Sequence, residues 1–136
     1  MIVACEGSLK IKEICYIHTE GFSAGSLKHG PFALLDSTNL TILLMDYNDT
    51  KNFNNLKSTY YEIKSRETNI MVITNSYNVI HELNIEKNNY IMLHKLNYYN
   101  EILFAIALQK LAYVISIGKG INPDKPRNLA KVVTVE

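Results

Sequence analysis

Three short, continuously apolar runs, Thr41-Ile-Leu-Leu-Met45, Asn69-Ile-Met-Val-Ile-Thr74 and the weaker Tyr90-Ile-Met-Leu-His94, constrain this chain more than any other feature. A strand with one wet face alternates between polar and apolar residues. A strand apolar at successive positions has both faces covered, the usual situation of parallel strands joined by helical crossovers. A polar helical stretch from Thr50 to Glu67 separates the first two runs, so the expected fold class is α/β with a mainly parallel sheet. Two longer helical patterns flank this region. From Ile2 to His18 there is no proline, and Leu9, Ile11, Ile14, Cys15 and Ile17 recur nearer to a helical period than to alternation. From Asn100 to Gly118 the helix is apolar over most of its circumference, through Ile102, Leu103, Phe104, Ile106, Leu108, Leu111, Val114 and Ile115. A helix of that kind is buried or lies in an interface between subunits. Gly118 and Gly120 end it, Asn122-Pro-Asp-Lys-Pro126 prevents its resumption, and residues 121–136 are expected to form an extended tail. Gly21, Gly25, Gly30 and Pro31 punctuate the segment after the first helix; a short helix fits only Gly21 to Leu27, and Ser26 to Pro31 reads as a loop.

With 136 residues and 47% hydrophobic content, the chain can bury the core of a single domain. Its formal net charge of +1, with both signs mixed along the length, makes no field that would recruit nucleic acid or an anionic membrane. An anionic ligand would be small and locally bound. The apolar run Ile102–Leu108 is cut by Gln109 and Lys110, short of the roughly 20 residues of a membrane span, so none is expected. The first residues include Glu6 and no basic stretch, which predicts no secretory leader and a cytoplasmic protein. Cys5 and Cys15 suit neither a bridge between distant segments nor a zinc site, and read as buried thiols. His18, His81 and His94 lack ligand spacing, so neither a metal nor a cofactor is called for.

Three places could carry chemistry. On the first helix Glu6, Lys10 and Glu13 fall at i, i+4 and i+7 and form one charged stripe. Such a stripe is what a solvated helix face looks like; it is also how a carboxylate is set beside an ammonium to move a proton at carbon. His29 stands in the loop Ser26-Leu-Lys-His-Gly-Pro31, where an imidazole can be either a surface residue or a catalytic group. Lys131 sits among Leu129, Ala130, Val132 and Val133. An outward-facing lysine on a last strand would look the same. An ammonium in apolar surroundings, however, has its pKa drawn down and can attack a carbonyl as the free amine.

The order of these weak signals is specific. Glu6-Gly-Ser-Leu-Lys-Ile-Lys-Glu-Ile14, Tyr16-Ile-His-Thr-Glu-Gly21, Leu27-Lys-His-Gly-Pro31 and Lys125-Pro-Arg-Asn-Leu-Ala-Lys-Val-Val-Thr-Val-Glu136 resemble, in sequence and spacing, the C-terminal sugar-isomerase (SIS) module of glucosamine-6-phosphate synthases, the isomerizing glutamine:fructose-6-phosphate aminotransferases. The likeness runs from the first residues to the last, with a divergent middle. It implies a three-layer α/β/α SIS-type fold over residues 1–136, with residues 121–136 as a tail carrying the active-site lysine. It implies fructose 6-phosphate and glucosamine 6-phosphate as ligands and a homodimer as the assembly. By motif, Lys131 would form a Schiff base with the open-chain ketose and Glu13 would carry the proton between the first two sugar carbons. Lys10 would polarise the sugar oxygens, His29 would assist ring opening in a neighbouring subunit's site, and Ala130 would join Lys131 and Glu13 in contacting the sugar.

Against the family pattern, nothing in this chain resembles the glutaminase domain or the first SIS domain with its Ser/Thr-rich phosphate loop. Those regions are expected as partners that supply ammonia and hold the phosphate. The module's first strand, with its Gly-Arg-Gly turn, is likewise expected to be truncated ahead of Met1, leaving the sheet with an unpaired edge. Ser26 replaces the usual glutamate of the histidine loop, and Val132 a common serine. The resulting expectation is an enzyme portion inactive by itself; the alternative is a non-catalytic SIS module that senses a phosphosugar.

Overall fold

The structure, a computed structural model, describes residues 1–129. They form two compact units, one of residues 22–104 and one combining residues 1–21 with residues from 105 onward.

The first unit holds a parallel sheet of β1 (Leu40–Met45), β2 (Asn69–Thr74) and β3 (Tyr90–Met92) in the order β1-β2-β3. The register pairs Leu43 with Val72 and Met45 with Thr74, and Val72 in turn with Tyr90. Two helices follow the strands, α2 (Phe53–Lys64) and α3 (Tyr77–Leu83). Side chains alternate along each strand, so Leu43, Met45, Val72, Tyr90 and Met92 share one face. They pack with Tyr60 and Ile63 of α2 and with Val79, Ile80 and Leu83 of α3. Ile63, Met45 and Val72 are fully buried, each contributing about 1.5–3 kcal/mol through removal from water. The apolar runs became parallel strands, and the fold class is α/β. The third strand is shorter than its apolar run because pairing with β2 stops at Met92.

Helix α3 has no counterpart in the sequence reading. At seven residues it is too short to display a period. Its ends carry the signal instead: the Ser76 hydroxyl accepts the Asn78 N–H at 3.2 Å, and Asn84 closes the helix in the left-handed conformation. The glycine-rich segment also departs from a plain loop. It makes two 3₁₀ turns, Ala24–His29 and Pro31–Leu34, and Leu27, Phe32 and Leu35 pack against the core.

The second unit joins α1 (Ile2–Cys15) to the later part of α4 (Asn100–Gly118). The face α1 buries is Gly7, Ser8, Ile11 and Cys15, whereas Leu9 is 43% exposed and Ile17 lies outside the helix. On α4 the buried positions recur every fourth residue, at Asn100, Phe104, Leu108, Ala112 and Ser116, while Ile102, Ile106 and Val114 are more than half exposed. Small residues explain both departures from hydropathy. A Cβ on Gly7 would lie 2.5 Å from Leu108 Cδ1, so the missing side chain lets the two helices approach. Cys15 is fully buried and its thiol donates to the Ala112 carbonyl at 3.1 Å. The chain leaving α1 folds back along it: the Ser8 and Thr19 hydroxyls each donate to the other's carbonyl, at 2.7 and 2.9 Å.

Among the described residues α4 is long and apolar enough, by length and composition, to cross a membrane, with 19 residues and a mean hydropathy of 1.6. The expectation of no such segment rested on the uninterrupted run Ile102–Leu108, but the helix continues through Gln109 and Lys110.

Two glycines separate a tolerable from an intolerable contact. A Cβ on Gly21 would lie 2.6 Å from the backbone of Ala4 and Cys5, which cannot rotate away, whereas the obstacle at Gly7 is a side chain. Gly21→Ala is expected to cost about 2–3 kcal/mol through overpacking. Gly7→Ala should cost less, because the gain of roughly 1 kcal/mol in helix propensity offsets part of the clash. Denaturant titration of the two variants checks the order.

Candidate active site

Helix α1 presents the charged stripe as its spacing requires. Lys10 Nζ lies 2.8 Å from Glu13 Oε2, in a direct hydrogen bond, and 3.8 Å from Glu6 Oε1. The pair is partly covered, with the Lys10 side chain 32% and the Glu13 side chain 22% exposed. That hydrogen bond, with the charges of both carboxylates adding to it and partial burial opposing it, lifts the Lys10 pKa above its ordinary 10.5. Lys10 is therefore a fixed cation at neutral pH, and Glu13 is a carboxylate with a permanent hydrogen-bond donor beside it.

The C-terminal end of α1 is held by two side-chain contacts. Lys119 Nζ donates to the Cys15 carbonyl at 2.8 Å, placing a cation where the helix dipole is negative. Tyr16 closes the helix, its ring 4.2 Å beneath the Arg127 guanidinium and its hydroxyl accepting the Arg127 N–H at 2.7 Å. Both residues stand inside the family motifs, yet neither has a role in the sequence reading. The contact joins positions 111 residues apart, and no local pattern announces it. Burial raises the Cys15 thiol above its ordinary 9.0, with the Lys119 charge acting in the opposite sense, so it stays protonated at neutral pH.

His29 ends the first 3₁₀ turn and is exposed. Gly30 follows with φ 137°, which a side chain would resist, and Lys28 bonds Glu62 of α2 at 2.8 Å. The turn is thus anchored on both sides of an imidazole left open to solvent. Of the predicted residues, the structure brings Lys10 and Glu13 together and places His29 in the other unit. Ala130 and Lys131 lie outside the described residues.

Two further features were not anticipated. At the carboxyl ends of β1 and β2, where α/β folds commonly bind ligands, Asp46 Oδ1 accepts N–H groups from Asn48, Asn75 and Asn100 at 2.9, 2.8 and 3.4 Å. Asn75 and Asn100 are buried and their carbonyls accept the N–H groups of Tyr47 and Leu96, so this network braces loops. A shallow depression lined by Leu40, Lys64, Thr68, Asn69, Met71 and Asn89 lies at the amino ends of the strands and gathers no chemistry. Among the described residues no three His, Cys, Asp or Glu side chains are grouped to hold a metal ion.

Replacing Glu13 with Gln should bring the Lys10 pKa down toward 10.5, and Glu6→Gln should lower it less, because Glu6 is the more distant carboxylate. A raised ammonium pKa stabilises the fold fully below the unfolded value and loses that contribution as pH rises through the folded value. The two variants should therefore differ from the parent in stability across the neutral range by only about 0.3–0.5 kcal/mol per lost pair. NMR titration of the Lys10 side chain checks the order.

No family model matches the chain. Among curated proteins, a probable glutamine–fructose-6-phosphate aminotransferase (isomerizing) of Acanthamoeba polyphaga mimivirus is 44% identical over 135 residues, which are 98% of this chain and 21% of that protein. The corresponding enzyme of Acinetobacter baylyi is 37% identical, with the same coverage of both. Among solved structures, the C-terminal domain of a glucosamine-fructose-6-phosphate aminotransferase from Francisella tularensis superposes with a TM-score of 0.75 at 30% identity, covering 90% of this chain and 34% of that one. The chain spans about a fifth of the length of these curated relatives. Along nearly its whole length, this chain is similar to the C-terminal domain of glutamine–fructose-6-phosphate aminotransferases.

Proposed function

We propose that residues 1–136 act as one SIS module that supplies the isomerase half of an aminotransferase site converting fructose 6-phosphate and ammonia into glucosamine 6-phosphate, in the cytoplasm and as part of a homodimer. The observation that carries this reading is the Lys10–Glu13 pair, a partly covered carboxylate with an ammonium at 2.8 Å, on a helix whose motif is that of the family. In this reading Lys131, in the tail of residues 121–136, attacks C2 of the open-chain ketose as its free amine, releasing water and leaving an imine. Ammonia adds to C2 of that imine and expels the Lys131 amine, leaving an imine of the sugar whose C=N acidifies the protons on C1. Glu13 accepts one as general base and returns it at C2, which moves the carbonyl character from C2 to C1. Lys10 polarises the sugar oxygens, His29 assists ring opening, and Ala130 lies against the bound sugar. Ammonia and the phosphate-binding loop come from the glutaminase and first SIS regions that the curated relatives' greater length accommodates.

Borohydride reduction in the presence of fructose 6-phosphate, with those regions added, should attach the sugar to Lys131. Lys131→Arg, which keeps the charge and cannot form the imine, should abolish trapping. Glu13→Gln should leave trapping largely intact while lowering formation of glucosamine 6-phosphate by about 10²–10⁴-fold. Binding of fructose 6-phosphate without any reduction product would instead identify a non-catalytic phosphosugar-binding module.

A further inference from the structure

The turn that presents His29 is fastened on both sides to the same end of α2. Before the histidine, Lys28 Nζ donates to Glu62 Oε1 at 2.8 Å. Beyond it, past Gly30, the Arg66 guanidinium carbon stands 4.3 Å from the Phe32 ring centroid. The two fastenings are themselves joined, because Arg66 also donates a guanidinium N–H to the Glu62 carbonyl. Glu62 Oε2 is buried and has no hydrogen-bond partner among the described residues, so this carboxylate relies on the Lys28 ammonium. Leu27, Phe32 and Leu35 rest on the core, whereas nothing crowds Gly25 or Gly30, and the backbone there is free to move unless it is held. His29 is exposed, so its imidazole is placed by the backbone that carries it.

We propose that Glu62 and Arg66 are positioning residues: from the end of α2 they grip the turn on either side of His29 and Gly30 and hold the imidazole in one place for ring opening. All these groups belong to one compact unit. The grip adds little to stability, because the Lys28 and Glu62 side chains are 51% and 35% exposed and ion pairs so open to water contribute marginally. What it supplies is a defined location, and a catalytic group displaced by about 1 Å can lose about 10²-fold in rate. This inference rests on the reading of His29 as the ring-opening group.

The test uses Glu62→Ala, which removes the carboxylate at a helical position that alanine suits, and Glu62→Ala combined with Arg66→Ala, which removes both fastenings. Lys28→Glu combined with Glu62→Lys reverses the ion pair and should restore it. Amide hydrogen exchange at Ser26 and Ala33, whose N–H groups donate to the Ser23 and Gly30 carbonyls at 3.0 and 2.9 Å, reports the turn without any sugar present. Exchange should be about threefold faster in Glu62→Ala, about tenfold faster when Arg66→Ala is added, and near the parent's in the reversed pair. With the other synthase regions supplied, turnover of fructose 6-phosphate should fall in the same order. Turnover of 5-deoxyfructose 6-phosphate, which lacks the hydroxyl that closes the furanose ring, should match the parent's in every variant. Parent-like exchange after loss of both Glu62 and Arg66 would overturn the grip. Faster exchange with both sugars slowed equally, or with neither slowed, would overturn the positioning role. If His29→Asn leaves fructose 6-phosphate turnover unchanged, or the parent turns over neither sugar, the catalytic reading fails and takes the positioning role with it, while the exchange rates still decide the grip.

Discussion

Everything the second unit offers depends on how closely α1 and α4 approach. At Gly7 the missing side chain lets Leu108 approach to where a Cβ would lie 2.5 Å from its Cδ1, and a helix turn or two along, Ile11 and Cys15 meet Ala112 in a small cluster. Small residues at such contacts trade side-chain burial for dense contact between backbones and the opposing side chains. The benefit is orientation. A helix seated at Gly7, Ser8, Ile11 and Cys15 has only one rotation about its axis, and that rotation sets how far the Lys10–Glu13 pair is covered. The pair itself contributes little to stability; its value is a carboxylate held beside a fixed cation.

The same contacts explain what was legible in the sequence. Strands β1 and β2 could be read because each is an uninterrupted apolar run, and α4 because its apolar stretch is long and ends at Gly118 and Gly120. Faces were harder. Hydropathy nominated Leu9 and Ile17 on α1 and Ile102, Ile106 and Val114 on α4, whereas the helices bury Gly7 and Ser8, Ala112 and Ser116. A hydrophobicity pattern ranks large side chains, and a close helix contact selects small ones. Helix α3 was invisible for a different reason: with seven residues, its evidence lies in the Ser76 and Asn84 caps at either end.

At the site, local chemistry was readable and distant chemistry was not. The i, i+3 relation of Lys10 and Glu13 is a property of any helix, so their hydrogen bond could be expected from spacing. The grip of Tyr16 on Arg127, the reach of Lys119 to the Cys15 carbonyl and the bracing of three segments by Asp46 all join residues far apart in the chain. Such contacts are products of the fold. The readings of His29 and Lys131 came from motif resemblance alone, and of the His29 imidazole itself the structure adds only that it is exposed.

The two thiols of α1 have a consequence for how this helix meets oxidants. Cys5 is exposed near the amino end, whereas Cys15 is sealed against Ala112 and kept protonated. The thiolate is the reactive form, so an oxidant or alkylating agent finds its target at Cys5, about 12 Å along the helix axis from Glu13 at 1.5 Å per residue. Chemical damage is thereby steered toward the end of the helix away from the Lys10–Glu13 pair. Modification of Cys15 would require α1 to separate from α4 first, which makes that sulfur a built-in witness to the integrity of the surface on which the carboxylate stands.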